Sequence, residues 1–356
     1  MHQIDIGGKV IGDGYPAYVI AEMAWAHDGS LDKAKKIVSG ASYAGADAIS
    51  MHITSLEDYM VRDYGRLAKA TLSVGKRTED VYDYLDRISI KNSGWKELFA
   101  YAKSLGLAVC AMPNDIPSLK LCSELNPDSY VIAAACFAEE NLVSEIARQR
   151  KPLILRIGGA TLGEIEKVVN LIRVQGVEDI VLLHGIQLYP TKIENTDIRL
   201  IPSLKAIFGF PVGLADHMDA ESPLSRMVPL VALGFGANVI EKHITHDRAL
   251  KGEDYISSLN GDEFQKLVEY IRELEKSFGS PSMKPLSEGE LRYRQVSRKR
   301  TVAGRAITKG TKITKEDIAF KRADSGVYPD EVTTVIGRTA ASDIKLDGPI
   351  TSDKVF

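Results

Sequence analysis

The stretch PVGLADHMDAESPLSRMVPLVALGFGANVIEKHI, residues 211–244, holds two short apolar runs, PVGLA (211–215) and ANVIEKHI (237–244). Between them lies SRMVPLVALGF (225–235), whose apolar residues recur at helical spacing. A strand, a helix and a second strand in that order make a βαβ unit with parallel strands and the helix on the outer face. Each strand candidate runs into polar residues, Asp216-His217 after the first and Glu241-Lys242-His243 near the end of the second.

Outward from this unit the same texture repeats. AYVIAE (17–22), DAISMHI (47–53), LAVCAM (107–112), SYVIAAA (129–135), PLILRI (152–157) and IVLLHG (180–185) read as further strands, bringing the count to eight. Helical spacing recurs at 31–45, 94–106, 142–150 and 161–176. Eight strands alternating with helices over roughly 260 residues predict a TIM (β/α)8 barrel. The stretch 54–93 is longer than a tight loop needs and is expected to add local structure over the barrel mouth. A helix at 261–279 closes a barrel domain of residues 1–279. Residues 280–296, opening with SPSMKPLSEGE, read as a linker. Residues 297–356 form short glycine-punctuated pieces, a small β-rich domain whose expected job is to cover something.

Composition narrows the function. Of 356 residues, 45 are Lys or Arg and 48 are Asp or Glu, a balance that lacks the basic stripe of a nucleic-acid binder. No window approaches the ~18 uninterrupted apolar residues of a membrane span. The opening MHQIDIGGKV has neither the basic start nor the apolar stretch of a signal peptide, so a cytoplasmic location is expected. Cys110, Cys122 and Cys136 lack CxxC spacing and indicate neither a disulfide framework nor a zinc site.

In a barrel the loops at the C-terminal strand ends build the site. Candidates there are Glu22 with His27-Asp28, Ser50 and His52, Arg156, then His184, Gln187 and Tyr189, and finally Asp216-His217 and Glu241-Lys242-His243. Adjacent strands lie about 4.8 Å apart, so His217 and His243 could hold one divalent ion and leave positions open for substrate oxygens. Glu22, Asp216 or Glu241 could orient an imidazole or a metal-bound water. By ligand chemistry Mn2+, Fe2+, Co2+ and Zn2+ suit such a site about equally. Gly158-Gly159, with Thr161 as a helix cap and Arg156 beside it, reads either as a plain turn or as an anion-binding loop.

Taken together, these residues resemble the sialic acid synthases and their relatives for other nonulosonic acids. The resemblance is carried by VIAEMAWAHDGSLDKAKKIVSGASYAGADA (19–48), PLILRIGGATLGEIEKVV (152–169), EDIVLLHGIQLYPT (178–191), IRLIPSLKAIFGFPVGLADH (198–217) and NVIEKHITHDRALKGED (238–254). VAGRAITKGTKITKEDIAFKRADSG (302–326) is similar to that family's C-terminal antifreeze-like (SAF) domain. The resemblance implies a homodimer in which the small domain of one subunit covers the active site of the other. It implies a divalent metal, Mn2+ first, with Mg2+, Co2+, Fe2+ or Zn2+ as alternatives. The implied reaction condenses phosphoenolpyruvate with an N-acetyl-hexosamine such as N-acetylmannosamine, giving a 2-keto-3-deoxy sugar acid. On this chain it implies His217 and His243 as metal ligands and Glu22 beside the metal-side water. Gln187, Tyr189 and Asp247 fall on the sugar side, and Arg322 on the N-acetyl group.

The chain departs from the family pattern on the donor side. Ser50-Met51-His52 stands where the family has Lys-Phe-Gln, Met112 stands for a threonine, Val131 for a lysine, and Arg156-Ile157-Gly158 for Ser-Thr-Gly. Ala134 and Cys136 replace a serine and an acidic residue, and Ala26-His27-Asp28-Gly29 stands for Asn-His-Asn-Gly. His52 and Arg156 are the candidate replacements for donor binding. Three functions stay open: a synthase with a rebuilt donor pocket; an aldolase, lyase or isomerase of an amino-sugar that keeps only the metal and sugar side; and an inactive sugar-binding relative.

Overall fold

The computed structural model describes residues 2–62, 81–280 and 282–356. Its contacts divide the chain into two units, Met1–Phe278 and Gly279–Phe356. The first opens with an antiparallel hairpin, β1 (Ile4–Ile6) and β2 (Lys9–Ile11). Eight parallel strands come next and close into a barrel: β3 (Tyr18–Glu22), β4 (Ala48–Ile53), β5 (Ala108–Pro113), β6 (Ser129–Ala133), β7 (Leu153–Arg156), β8 (Ile180–His184), β9 (Val212–Asp216) and β10 (Val239–His243). The order is sequential, with β10 closing on β3. All eight predicted strands are present.

Helices alternate with the strands: α1 (Leu31–Tyr43), α2 (Leu56–Tyr59), α3 (Val81–Arg87), α4 (Asn92–Ser104), α5 (Ile116–Leu125), α6 (Glu140–Ala147), α7 (Leu162–Val174), α8 (Leu200–Phe208), α9 (Leu224–Gly234) and α10 (Gly261–Phe278). Sequence periodicity misses α5 and α8, both short and each carrying a proline, Pro117 or Pro202, near its start. Of the irregular stretch 54–93, α2, α3 and their flanks are described, and residues 63–80 lie outside the described residues. The Tyr84 hydroxyl on α3 donates to Glu253 Oε2 at 2.6 Å, tying this insertion to the loop after β10. No described helix is long and apolar enough to cross a membrane.

The strands alternate cleanly. One set of side chains packs outward against the helices, among them Val19, Ala21, Ile49, Leu155, Leu182, Leu214 and Ile240. The other set fills the barrel: Tyr18, Ile20, Ala48, Cys110, Met112, Val131, Ile154, Val181, Leu183, Ala215 and Val239. The hairpin's Ile4, Ile6 and Ile11 join this inner cluster and plug the N-terminal end. Gly7 makes the plug possible, because its φ of +62° is left-handed and a Cβ there would lie 2.6 Å from Ala108 Cβ. With that end sealed, polar groups collect at the other. Gly158 serves close packing, since a Cβ would sit 1.9 Å from the Gly185 carbonyl oxygen. Thr161 and Glu164 form a reciprocal capping box on α7, so that helix end is already satisfied.

The second unit begins with α11 (Glu288–Ser297), opened by a Ser287–Glu290 capping box, so the latter part of the stretch read as a linker is helical. Its strands, β11 (Lys299–Ala303) and β12 (Ile318–Arg322), pair antiparallel with Lys299 opposite Arg322. Around Ala303, Ile307, Ile313, Val335, Ala340, Ile344 and Ile350 the remainder is held by single bridges such as Ile307 with Ile344.

Candidate active site at the barrel mouth

Polar side chains collect at the C-terminal ends of β3, β4, β7, β9 and β10 and in the loop after β8, and they form two groups. The first centres on Arg156, which leaves β7 and reaches across the interior, only 5% exposed. Its Nη2 donates to Glu22 Oε2, to Glu241 Oε2 at 2.9 Å and to Ser50 Oγ at 3.2 Å. Its Nη1 lies 3.0 Å from His52 Nε2 and 3.6 Å from the Met112 sulfur. Glu22 is fully buried and also accepts the Ala24 N–H at 2.7 Å, with His52 Nε2 at 3.3 Å from its Oε1. Two carboxylates therefore converge on one guanidinium nitrogen that has two hydrogens to give. Arg156 Nε and Glu241 Oε1 are buried without partners. Burial holds the His52 imidazole neutral, down to about 3, with His27 adding a smaller push. A neutral His52 accepting from Arg156 at Nε2 carries its proton on Nδ1.

The second group lies in the segments that follow β8 and β9 and at the end of β10. The rings of His217 and His243 are 5.1 Å apart between centroids. Tyr189 packs on both, at 4.5 and 5.4 Å, and its hydroxyl donates to Gln187 Oε1 at 2.8 Å. His217 Nδ1 lies 2.8 Å from the Ile186 carbonyl oxygen, to which it donates, leaving the lone pair on Nε2. His243 is 2% exposed, neither ring nitrogen has a hydrogen-bond partner, and Nδ1 is 3.9 Å from Asp254 Oδ2. Burial lowers the His217 pKa to about 4 and drives that of His243 well below its ordinary value. Both imidazoles are thus neutral, with lone pairs available at physiological pH.

That chemistry fits a divalent ion. Buried neutral imidazoles with unpartnered nitrogens are metal-ligand material, and a backbone carbonyl behind one of them is the usual way to fix its tautomer. Among the described residues no three His, Cys, Asp or Glu side chains converge as a ligand set, so the fit is to a two-histidine site completed by water or substrate oxygens.

The structure therefore brings Glu22, His52 and Arg156 together, and separately His217, His243, Tyr189 and Gln187. Asp247 is exposed and caps the turn Arg248–Leu250. It lines a cavity of about 440 Å³ with Asp219, Tyr255 and Asn260, in the loops beyond β9 and β10. Arg322 is an exposed residue of β12 in the second unit. His184 Nε2 donates to the Thr196 carbonyl, 3.0 Å away, and belongs to neither group. Glu241 enters the Arg156 cluster, although sequence reasoning gave it only an auxiliary place. The carbonyl of Ile186 and the Ser257 hydroxyl, which donates to the His217 carbonyl at 2.6 Å, left no sequence signal.

Comparison with known proteins agrees with this fold. The NeuB family matches residues 37–283 and the SAF domain residues 301–355. An uncharacterised protein of Methanocaldococcus jannaschii is 32% identical over 100% of this chain and 99% of its own. The N,N'-diacetyllegionaminic acid synthase of Legionella pneumophila is 29% identical over 93% of this chain and 92% of its own. The solved N-acetylneuraminic acid synthetase of Leptospira borgpetersenii is 27% identical, with a TM-score of 0.71 over 82% of this chain and 96% of that one. With a parallel eight-stranded barrel and, later in the sequence, a SAF domain, this chain belongs to the NeuB family.

Proposed function

We propose that this protein is a metal-dependent sugar-acid synthase that condenses phosphoenolpyruvate with an N-acetyl-hexosamine, releasing phosphate. The observation that carries the reading is the pair of neutral, buried imidazoles of His217 and His243, 5.1 Å apart, with both His243 nitrogens unpartnered and the His217 lone pair left on Nε2 by its Nδ1 bond to Ile186. A divalent ion held by these two side chains would act as a Lewis acid on the sugar aldehyde. Tyr189 and Gln187 wall that ion's surroundings and offer hydroxyl and amide groups to sugar oxygens. Glu22 and His52 stand in contact with each other and with Arg156, placed to hold or pass a proton. The carboxylate or phosphate of the donor would be drawn to Arg156, the inward-facing buried cation among the described residues. The same reading makes the enzyme a homodimer that engages the N-acetyl group through Arg322, with Asp247 on the sugar side.

One observation favours a second reading. Arg156 is committed to Glu22 and Glu241, and Lys242, the other buried cation among the described residues, is committed to Asp216. Neighbouring interior positions Met112, Val131 and Ala133 are apolar. A multiply charged donor then has to displace a resident carboxylate, whereas an aldolase, lyase or isomerase acting on an amino-sugar without donor does not. Phosphate release with Mn2+, phosphoenolpyruvate and a panel of N-acetyl-hexosamines, with and without chelator, decides between them. Release that needs metal, donor and sugar together supports the synthase. Sugar turnover without donor supports the second reading.

A further inference from the structure

Lys242 stands where its residue type has no ordinary reason to be. On β10, Glu241 and His243 point into the barrel, and Lys242 lies on the alternate face with Ile240 and Ile244, both of which pack in the apolar layer between strands and helices. It is nonetheless fully buried. Its ammonium donates to Asp216 Oδ2 at 2.8 Å and to the Met218 carbonyl at 3.2 Å. Asp216 in turn accepts the Met218 N–H on Oδ1 at 3.0 Å. A buried ion pair of this kind seldom gains stability over well-packed apolar side chains of similar size, because desolvation cancels the attraction. Its retention points to what it positions.

The positions involved are specific. Lys242 and Asp216 are direct register partners across β9 and β10, and each immediately precedes one of the two histidines. Asp216 and Met218 flank His217, so one ammonium grips the chain on both sides of that residue while belonging to the strand that carries His243. Other bonds hold the carbonyls of the two histidines from the outside: Thr191 N–H donates to the His217 carbonyl and Leu259 N–H to the His243 carbonyl, both at 2.9 Å. We infer that the Lys242–Asp216 pair is a positioning clamp that fixes the separation and aim of the His217 and His243 imidazoles. Neither residue touches substrate in this assignment; both act through the histidines. The inference rests on the reading of those histidines as a metal pair.

The test uses the full-length apo-protein and Co2+ alone, whose visible absorption reports ligand geometry and whose titration gives a dissociation constant. Four variants are compared with the native chain: Lys242→Met, Lys242→Arg, the charge-balanced double variant Lys242→Met with Asp216→Leu, and His243→Ala. The double variant leaves no unpaired buried charge and keeps the fold, checked by thermal unfolding. The clamp predicts that it binds Co2+ about 10- to 100-fold more weakly than the native chain, with an altered absorption band, the range seen when groups behind metal ligands are lost. Lys242→Arg, which can still bridge Asp216 and Met218, is expected to restore most of that affinity. If the folded double variant binds Co2+ within twofold of native while His243→Ala does not bind, the clamp is wrong and the histidine pair stands. If His243→Ala also binds as native does, the metal reading itself fails and takes the clamp with it.

Discussion

The two halves of the barrel mouth differ in whether their groups pair with one another. Around Arg156, the charges answer one another: a guanidinium meets Glu22, Glu241, Ser50 and His52 across four strands. Around His217 and His243 there is no such pairing of charges: both nitrogens of His243 sit buried with nothing to bond, whereas in the arginine half, Arg156 Nε and Glu241 Oε1 are left over from a network that is otherwise paired. A buried polar group without a partner is costly, so a fold keeps one where a ligand will complete it. Neighbouring clusters thus do different work. The histidine half is built to receive, whereas the arginine half is built to hold itself, and a ligand enters it only by exchange with a carboxylate.

The largest way to break this contrast is Arg156→Met. If the arginine half is self-holding, the change strands Glu22 and Glu241 as unpaired buried charges, and stability should fall by roughly 3–5 kcal/mol. Urea unfolding of the variant, and of a triple variant that adds Glu22→Gln and Glu241→Gln, measures this directly. The triple variant is expected to recover most of the loss, and a variant as stable as native with both carboxylates intact would show that Arg156 is not their counter-charge. Next in size, His217→Ala should weaken divalent-metal binding at least about 100-fold, with a loss of stability of about 1–3 kcal/mol for the buried Ile186 carbonyl that it leaves without its donor. Native metal content after dialysis of that variant would remove the histidine half from the site. Smaller again is Arg322→Ala, expected to raise the Michaelis constant for the amino-sugar about tenfold, the worth of one charge-assisted hydrogen bond, with metal content untouched. An unchanged constant would separate the small domain from sugar recognition.

Most of the barrel was legible because its signal is local. PVGLADH and NVIEKHI announce strands by their apolar runs and sites by the polar residues at their ends, and the parallel register then brings His217 and His243 side by side. The hairpin of β1 and β2 was not legible, since its isoleucines at 4, 6 and 11 are too few for a periodic signal and matter only by plugging the barrel. Arg156 shows the limit most clearly. Its type suggested an anion site, but the partners that occupy it lie 134 and 85 residues away in sequence, and nothing local in LILRI foretells Glu22 or Glu241. Lys242 shows a related limit: its place at a strand end made it a candidate with its neighbours, but nothing local in VIEKH foretells that it is buried on the outer face of the strand against Asp216.

The smallest expected effect is in the pH dependence, and burial sets its sign. An exposed histidine takes a proton near pH 6.5. His52 in the folded chain does so only near 3, and His27 and His217 near 4, each because burial penalises the charged ring. Below about pH 6.5 the unfolded chain therefore binds protons that the native chain refuses, and the apo-protein should lose stability progressively from there down to about pH 4, where native uptake begins to match. The histidine half adds a second signature. Because His217 and His243 remain neutral through this window, a divalent ion at equal free concentration should raise the unfolding temperature at pH 6 as much as at pH 7.5. Thermal unfolding with and without Mn2+ at the two pH values measures both effects. Protection that fades between them would mean the imidazoles titrate as exposed rings do, and the distinction between a self-paired half and a waiting half would have to be redrawn around some other group.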